Sequence, residues 1–233
     1  TGDGLAFADL APLITGGTED ETNNLKDIIS ADFSPSDPNK LYFVAIVTES
    51  ITGENDQKIE VDFPILYLYN LADANPATAL TRLGRFRTSS NPTQNTVPDV
   101  AGISFTDDGE LVAYVTARRG GQTVVERSGF VTLAVQEPGD IAPGEPSARF
   151  SFNNVLRTRI NTDNDELTDV TDIEIIPKDG GNIYVVADTD LWRVNLNDGK
   201  AQLYGSLLDP DDEDAEDQRG AEIGAITWVP TVP

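Results

Sequence analysis

Asp99-Val-Ala-Gly-Ile-Ser-Phe-Thr-Asp107 is one of four stretches of this chain built alike. The others are Asp27-Ile-Ile-Ser-Ala-Asp-Phe-Ser-Pro35, Asp169-Val-Thr-Asp-Ile-Glu-Ile-Ile-Pro177 and Glu222-Ile-Gly-Ala-Ile-Thr-Trp-Val-Pro230. Each opens on an acid, runs through apolar residues and stops at a Pro or Asp turn signal. They start at residues 27, 99, 169 and 222, spacings of 72, 70 and 53. A self-similar period of this kind points to a repeat architecture.

The segments downstream of the first three stretches also recur. A second apolar run comes after a tight connection: Leu41-Tyr-Phe-Val-Ala-Ile-Val47, Leu111-Val-Ala-Tyr-Val-Thr116 and Ile183-Tyr-Val-Val-Ala187. Asn39-Lys40, Asp108-Gly109 and Gly180-Gly181 supply the turn chemistry that hairpins need. A third run is Ile65-Leu-Tyr-Leu-Tyr-Asn-Leu71, Gly129-Phe-Val-Thr-Leu-Ala-Val135 and Leu191-Trp-Arg-Val-Asn-Leu196. A fourth is Ala79-Leu-Thr-Arg-Leu83, Ala148-Arg-Phe-Ser-Phe152 and Ala201-Gln-Leu-Tyr204. Each unit therefore reads as strands a, b, c and d. Apolar runs of this length suit sheets covered on both faces, and no stretch keeps a capped 3.6-residue period, so helix is nearly absent.

Ser36-Asp37-Pro38-Asn39-Lys40-Leu41-Tyr42 and Leu191-Trp192-Arg193-Val194-Asn195-Leu196-Asn197-Asp198-Gly199 carry a resemblance to the blades of secreted bacterial β-propellers. The resemblance implies an all-β, β-propeller-like array of four-stranded antiparallel blades. Three are complete, at about 27–86, 99–156 and 169–208, with partial blade strands at both termini. It matches no specific family, since the WD dipeptide, the kelch di-glycine and the Ca²⁺-binding nonapeptide are missing. A β-sandwich is the rival, but it predicts no threefold recurrence. Residues 1–233 are read as a single domain. Leu5-Ala-Phe-Ala-Asp-Leu10 fits strand c, Pro12-Leu-Ile-Thr15 fits strand d, and the stretch from Glu222 is a lone strand a. An open row of blades exposes an apolar face at each end. Closure by the two termini, association between chains, or membership of a longer propeller would each resolve this.

The chain of 233 residues has no Cys, no Met and no His. That excludes disulfides, thiolate and His-ligated metal sites, and the Ser-His-Asp triad. Lack of readily oxidised side chains fits an extracellular or cell-surface setting. A chain without an initiator Met is expected to have lost an N-terminal segment. No apolar run approaches the roughly 20 residues of a membrane span, so no membrane insertion is expected.

Forty acids against sixteen bases give a net charge of −24. Such a surface repels nucleic acid and anionic membranes. The repulsion is relieved either by divalent cations bridging carboxylates or by high ionic strength.

The positions of the acids define the candidate sites. In a propeller the d-to-a and b-to-c loops share one face. These are 87–98, 157–168 and 208–220, with a long b–c loop from Thr48 to Phe63. Asn161-Thr-Asp-Asn-Asp-Glu166 places Asp163, Asp165 and Glu166 close together, with Asp169 just beyond. Alternating oxygen ligands of this kind can wrap Ca²⁺, which takes six to eight oxygens; a solvated polar turn has the same composition. Asp209-Pro-Asp-Asp-Glu-Asp-Ala-Glu-Asp217, with Asp211, Asp212 and Asp214, would hold cations weakly or remain a hydrated loop.

Asp27, Asp99 and Asp169 recur at the start of strand a. They would either ring a central channel with carboxylates or accept backbone N–H groups in their turns. Arg118-Arg119 reads as the only basic cluster, and Trp192 and Trp228 read as core.

The functional expectation is a non-enzymatic extracellular module for adhesion, surface coating or self-assembly, stabilised by Ca²⁺, with a protein or carbohydrate partner. The alternative is a Ca²⁺-dependent secreted hydrolase resembling propeller phytases, phosphoesterases or lactonases, in which acidic loops gather metal to activate water. A third reading gives the acidity to solubility in high salt alone.

Overall fold

Alternation of β-branched and aromatic residues with turn-forming Asp, Asn and Gly makes hairpins the economical way to fold this chain. The structure is a computed structural model that describes residues 24–52, 56–86, 99–117, 127–133, 135, 160, 167, 170–176, 182–187, 189–196 and 198–206.

The first unit consists of β1 (Asn24–Phe33), β2 (Lys40–Thr52), β3 (Lys58–Asn70), the short helix α1 (Pro76–Ala79) and β4 (Leu80–Arg85). The second contains β5 (Asp99–Phe105), β6 (Leu111–Ala117) and β7 (Arg127–Leu133). The third contains β8 (Val170–Ile175), β9 (Asn182–Ala187), β10 (Asp190–Asn195) and β11 (Ala201–Ser206). Every pairing is antiparallel between chain neighbours, giving sheets ordered β1-β2-β3-β4, β5-β6-β7 and β8-β9-β10-β11. The all-β blade repeat is therefore observed. Strand d of the second blade (148–152) and the terminal strands at 5–15 and 222–230 lie outside the described residues.

Two details differ from the sequence reading. Ala79 closes α1 rather than opening strand d. Asp73 starts that turn, accepting the Asn75 N–H at 2.9 Å and the Thr78 hydroxyl at 2.7 Å, and these bonds hold its carboxyl below the usual range. The stretch Thr48 to Phe63 is not a long loop. β2 and β3 run on through it in register, pairing Glu49 with Val61, Ile51 with Ile59 and Thr52 with Lys58. Thr, Ile and Val in both arms favour continued strand, and turn chemistry is confined to residues 53–57.

The blades are interchangeable at the level of their irregularities. Each inner strand carries a one-residue bulge at the same repeat position: Ile29 in β1, Ala101 in β5 and Thr171 in β8. A bulge re-aims the residues that follow it. The outer strands share one as well, with Leu83 in β4 and Tyr204 in β11 unpaired beside Gly84 and Gly205.

Period-2 alternation gives each blade two apolar faces. Tyr42, Val44, Leu66, Leu68 and Leu83 of the first blade meet Val100, Ile103, Leu111, Ala113 and Val131 of the second. Val112, Tyr114 and Phe130 on the opposite face of the second meet Ile173, Ile183, Val185 and Val194 of the third. Phe105 packs edge-on against Tyr42 across the first interface, with ring centroids 5.2 Å apart.

The blades also turn about a common axis. In a flat stack with about 10 Å between sheets, the first and third would stand about 20 Å apart. Here Ser30 Oγ of β1 lies 3.4 Å from Asp172 Oδ1 of β8. The contact passes through space left by Gly102 of β5. A Cβ built at Gly102 would fall 2.5 Å from Asp172 Oδ1 and 2.9 Å from the Ile173 nitrogen. Inner strands of three successive blades thus converge on one line, which is propeller geometry.

Candidate functional site

An inner strand pairs on one side only, so half of its N–H and C=O groups point towards the axis and need partners. Side chains of the preceding blade supply them, in one repeated register. Ser30 Oγ accepts the Ile103 N–H at 3.0 Å, Asp32 Oδ2 accepts the Phe105 N–H at 2.8 Å, and Ser104 Oγ accepts the Ile175 N–H at 2.9 Å. In each case a residue of one strand takes the amide one position further along in the next blade.

Ser104 in turn donates its hydroxyl to Asp32 Oδ2 at 3.2 Å. A continuous polar seam therefore runs Ile175 N–H, Ser104 O–H, Asp32 carboxylate across three blades. Ser30 has a single hydroxyl proton between two acceptors, the Ile103 carbonyl and Asp172 Oδ1, both at 3.4 Å. Burial pushes the Asp32 carboxyl above its ordinary range, and the hydrogen bonds from Phe105, Phe33 and Ser104 oppose that. The groups at the axis are thus consumed in joining blades.

Of the two roles open to Asp27, Asp99 and Asp169, the described residues bear on the first two positions alone. Asp27, inside β1, is exposed and accepts the N–H of its neighbour Ile28 at 2.8 Å, while Asp99 is exposed at the start of β5. Asp169 lies outside the described residues. The side chains that do reach the axis are Ser30, Asp32, Ser104 and Asp172, which come just after the inner-strand bulges. Nothing in the apolar pattern marks a bulge, so sequence reasoning passed them over.

A second polar constellation sits where the β2–β3 hairpin leaves the blade. Glu49 on β2 is buried, and its carboxylate pairs with Arg82 Nη2 at 2.7 Å and with Arg85 Nη2, both on β4. Arg85 also lies over the Phe63 ring, its Cζ 4.3 Å from the centroid. Burial pushes the neighbouring Tyr67 hydroxyl up to about 12, with Arg82 opposing the rise and Glu49 adding to it. The Arg82 side chain is 43% exposed. The group carries two positive charges to one negative in a chain that is strongly acidic elsewhere, and it can meet a carboxylate or other anion from solvent. Arg118-Arg119 is therefore not the only basic cluster. The Arg82-x-x-Arg85 spacing was visible in sequence, but its convergence on Glu49 depends on strand register.

Beyond that base the described residues give the hairpin no further strand. β1 pairs with β2 only as far as Thr48, and β4 with β3 only as far as Ile65. From Glu49 to Thr52 and from Lys58 to Phe63, the outer edges have no ladder partner among the described residues. Thr48 donates to Asp62 across the pair, fastening the root of this ribbon.

Asp163, Asp165, Glu166 and Asp169, and likewise Asp211, Asp212 and Asp214, all lie outside the described residues. Two residues near the first group in sequence are described. Ile160 and Leu167 pack into the core between the second and third blades, and the Leu167 N–H donates to the Ile160 carbonyl at 2.9 Å. Among the described residues no group of three or more acids could hold a metal ion. No helix among them is long and apolar enough to cross a membrane.

No protein-family profile matches the chain, and no curated protein matches it. Among solved structures, it is similar to two crystal structures of B. megaterium levansucrase mutants. One is 11% identical with a TM-score of 0.39, covering 70% of this chain and 40% of that one. The other is 15% identical with a TM-score of 0.40, covering 76% and 42%. The chain thus spans about two fifths of the length of these structures. At these values the likeness says nothing about activity.

Proposed function

We propose that the chain is a non-catalytic, extracellular binding module of the adhesion, coating or assembly kind, stabilised by divalent cations. The long β2–β3 hairpin supports this reading best. A two-stranded ribbon whose outer edges have no ladder partner among the described residues, anchored by Glu49, Arg82 and Arg85, offers main-chain donors and acceptors to an extended segment of a protein partner. Arg82 at its root favours an acidic group on that partner. The acidic loops 157–168 and 208–220 supply the cation sites, with Asp163, Asp165, Glu166, Asp169, Asp211, Asp212 and Asp214 as ligands.

Binding a cation to the folded state alone stabilises by mass action. Chelation at low ionic strength is therefore expected to lower the melting temperature, and Ca²⁺ but not an equal ionic strength of NaCl should restore it. An unchanged melting curve removes the cation from the proposal. Recovery with NaCl alone assigns the acidity to salt adaptation. Ca²⁺-dependent turnover of phosphomonoesters or lactones in the same preparation would overturn the non-catalytic reading in favour of the hydrolase.

A further inference from the structure

Equivalent side chains show how each blade seats on the one before it. The pairs Phe33–Leu41, Phe105–Leu111 and Ile175–Ile183 close the inner ladders, so Phe33, Phe105 and Ile175 share one repeat position. Tyr69, Leu133 and Val194 pair with the same Leu41, Leu111 and Ile183. Leu71, Val135 and Leu196, each two residues further on, are therefore equivalent as well. In the second blade Phe105 and Val135 pack back onto the first, against the cluster that holds Leu83. In the third, Ile175 and Leu196 pack back onto the second. In the first blade the same two positions are bare, with Phe33 50% and Leu71 49% exposed.

The receiving side is bare at the other end of the row. Leu83, at the outer rim of the first blade's forward face, is 0% exposed against the second blade. Its equivalent by bulge position is Tyr204 in β11, which is 65% exposed. A Cβ built at the neighbouring Gly205 would meet nothing within 4 Å, so there is room beside that ring. No residue of β11 is charged.

We infer that copies of this chain associate head to tail, Phe33 and Leu71 on the first blade of one copy seating against Tyr204 on the third blade of the next. Both halves of the contact belong to this chain, and joining them continues an interface that its blades already make twice. The occupant is thereby a second copy rather than a foreign partner. The two patches differ, so the contact is heterologous and builds rings or open rows rather than a closed pair. The patches are small and each copy carries a net charge of −24, so association is weak and strengthens with salt. Such assembly gives the binding module proposed above its partner, and it rests on that reading.

Sedimentation of the intact chain provides the test, with NaCl as the added salt because Na⁺ screens carboxylates without bridging them. Between about 0.1 M and about 1 M NaCl, the average mass at high protein concentration should rise past that of two copies. Phe33→Ser and Tyr204→Ser, neither of which alters the net charge, should each stay monomeric where the parent associates. Both side chains are exposed, so the variants should melt with the parent. Mixed together, they should form a dimer and nothing larger, since each supplies the patch that the other lacks. A parent that is monomeric throughout overturns the inference. Single variants that associate like the parent overturn it too, as does a mixture that stays monomeric. None of these outcomes bears on the cation or on the non-catalytic reading, which stand or fall on the chelation melt and the turnover assay.

Discussion

Gly102→Val should be among the most damaging single substitutions in the described blades, lowering stability by about 3 kcal/mol or more and the melting temperature by roughly 10 °C. The first atom of any side chain here meets Asp172 Oδ1 at 2.5 Å, the Ile173 nitrogen at 2.9 Å and Ile173 Cγ1 at 3.1 Å. A carboxylate can swing aside, but a backbone nitrogen in β8 cannot move without separating the second and third blades. Asp172 is buried with Ser30 Oγ beside its Oδ1, so displacing it also disturbs that contact.

Gly109 provides the control. Its φ of 86° in the β5–β6 turn favours glycine, but nothing lies within 4 Å of its Cβ position. Gly109→Ala should cost only the local strain, about 1 kcal/mol. Urea unfolding of the two variants separates the cases, and equal losses would mean that Gly102 is not where the blades converge.

Glu49→Ala should cost about 3 kcal/mol, because it leaves two guanidinium groups facing each other with their shared counter-ion gone. Arg85 is the more enclosed of the two, at 24% side-chain exposure, and suffers most. The double variant Glu49→Ala with Arg85→Leu should recover part of the loss, since an apolar pair is preferable to an uncompensated charge on the face that holds Phe63 and Tyr67. Thermal melts of the single and double variants measure this. A single variant within about 0.5 kcal/mol of the parent would show that the cluster behaves as an ordinary surface ion pair.

The blade repeat was legible because each strand carries its own apolar run and each turn its own Asp, Asn or Gly. Strands a, b and c of all three blades fall where these runs predicted, within a residue or two except at β1, β2 and β3. The long arms of β2 and β3 were misread because Glu49, Ser50, Lys58 and Glu60 dilute the apolar signal of Ile59 and Val61, so a paired ribbon resembled a loop. The axial groups were illegible for another reason. Ser30, Asp32, Ser104 and Asp172 are ordinary polar residues until the bulges at Ile29, Ala101 and Thr171 aim them at a neighbouring strand. Their partners lie 71 to 142 residues away in sequence. Asp27 and Asp99 drew the eye because they repeat identically, whereas the axial positions repeat in role but not in residue type.

The blades are held together at the axis by side chains of one inner strand taking the free amides of the next, and amide hydrogen exchange resolved by residue tests this most directly. The Ile103, Phe105 and Ile175 amides face away from their own hairpin partners and have no ladder bond to slow them. They should nevertheless exchange as slowly as the ladder amides of β6 and β9, and Ser104→Ala should release the Ile175 amide while leaving that of Ile103 protected. Fast exchange of all three in the folded parent, beside slow exchange in β6 and β9, would contradict the convergence of these strands.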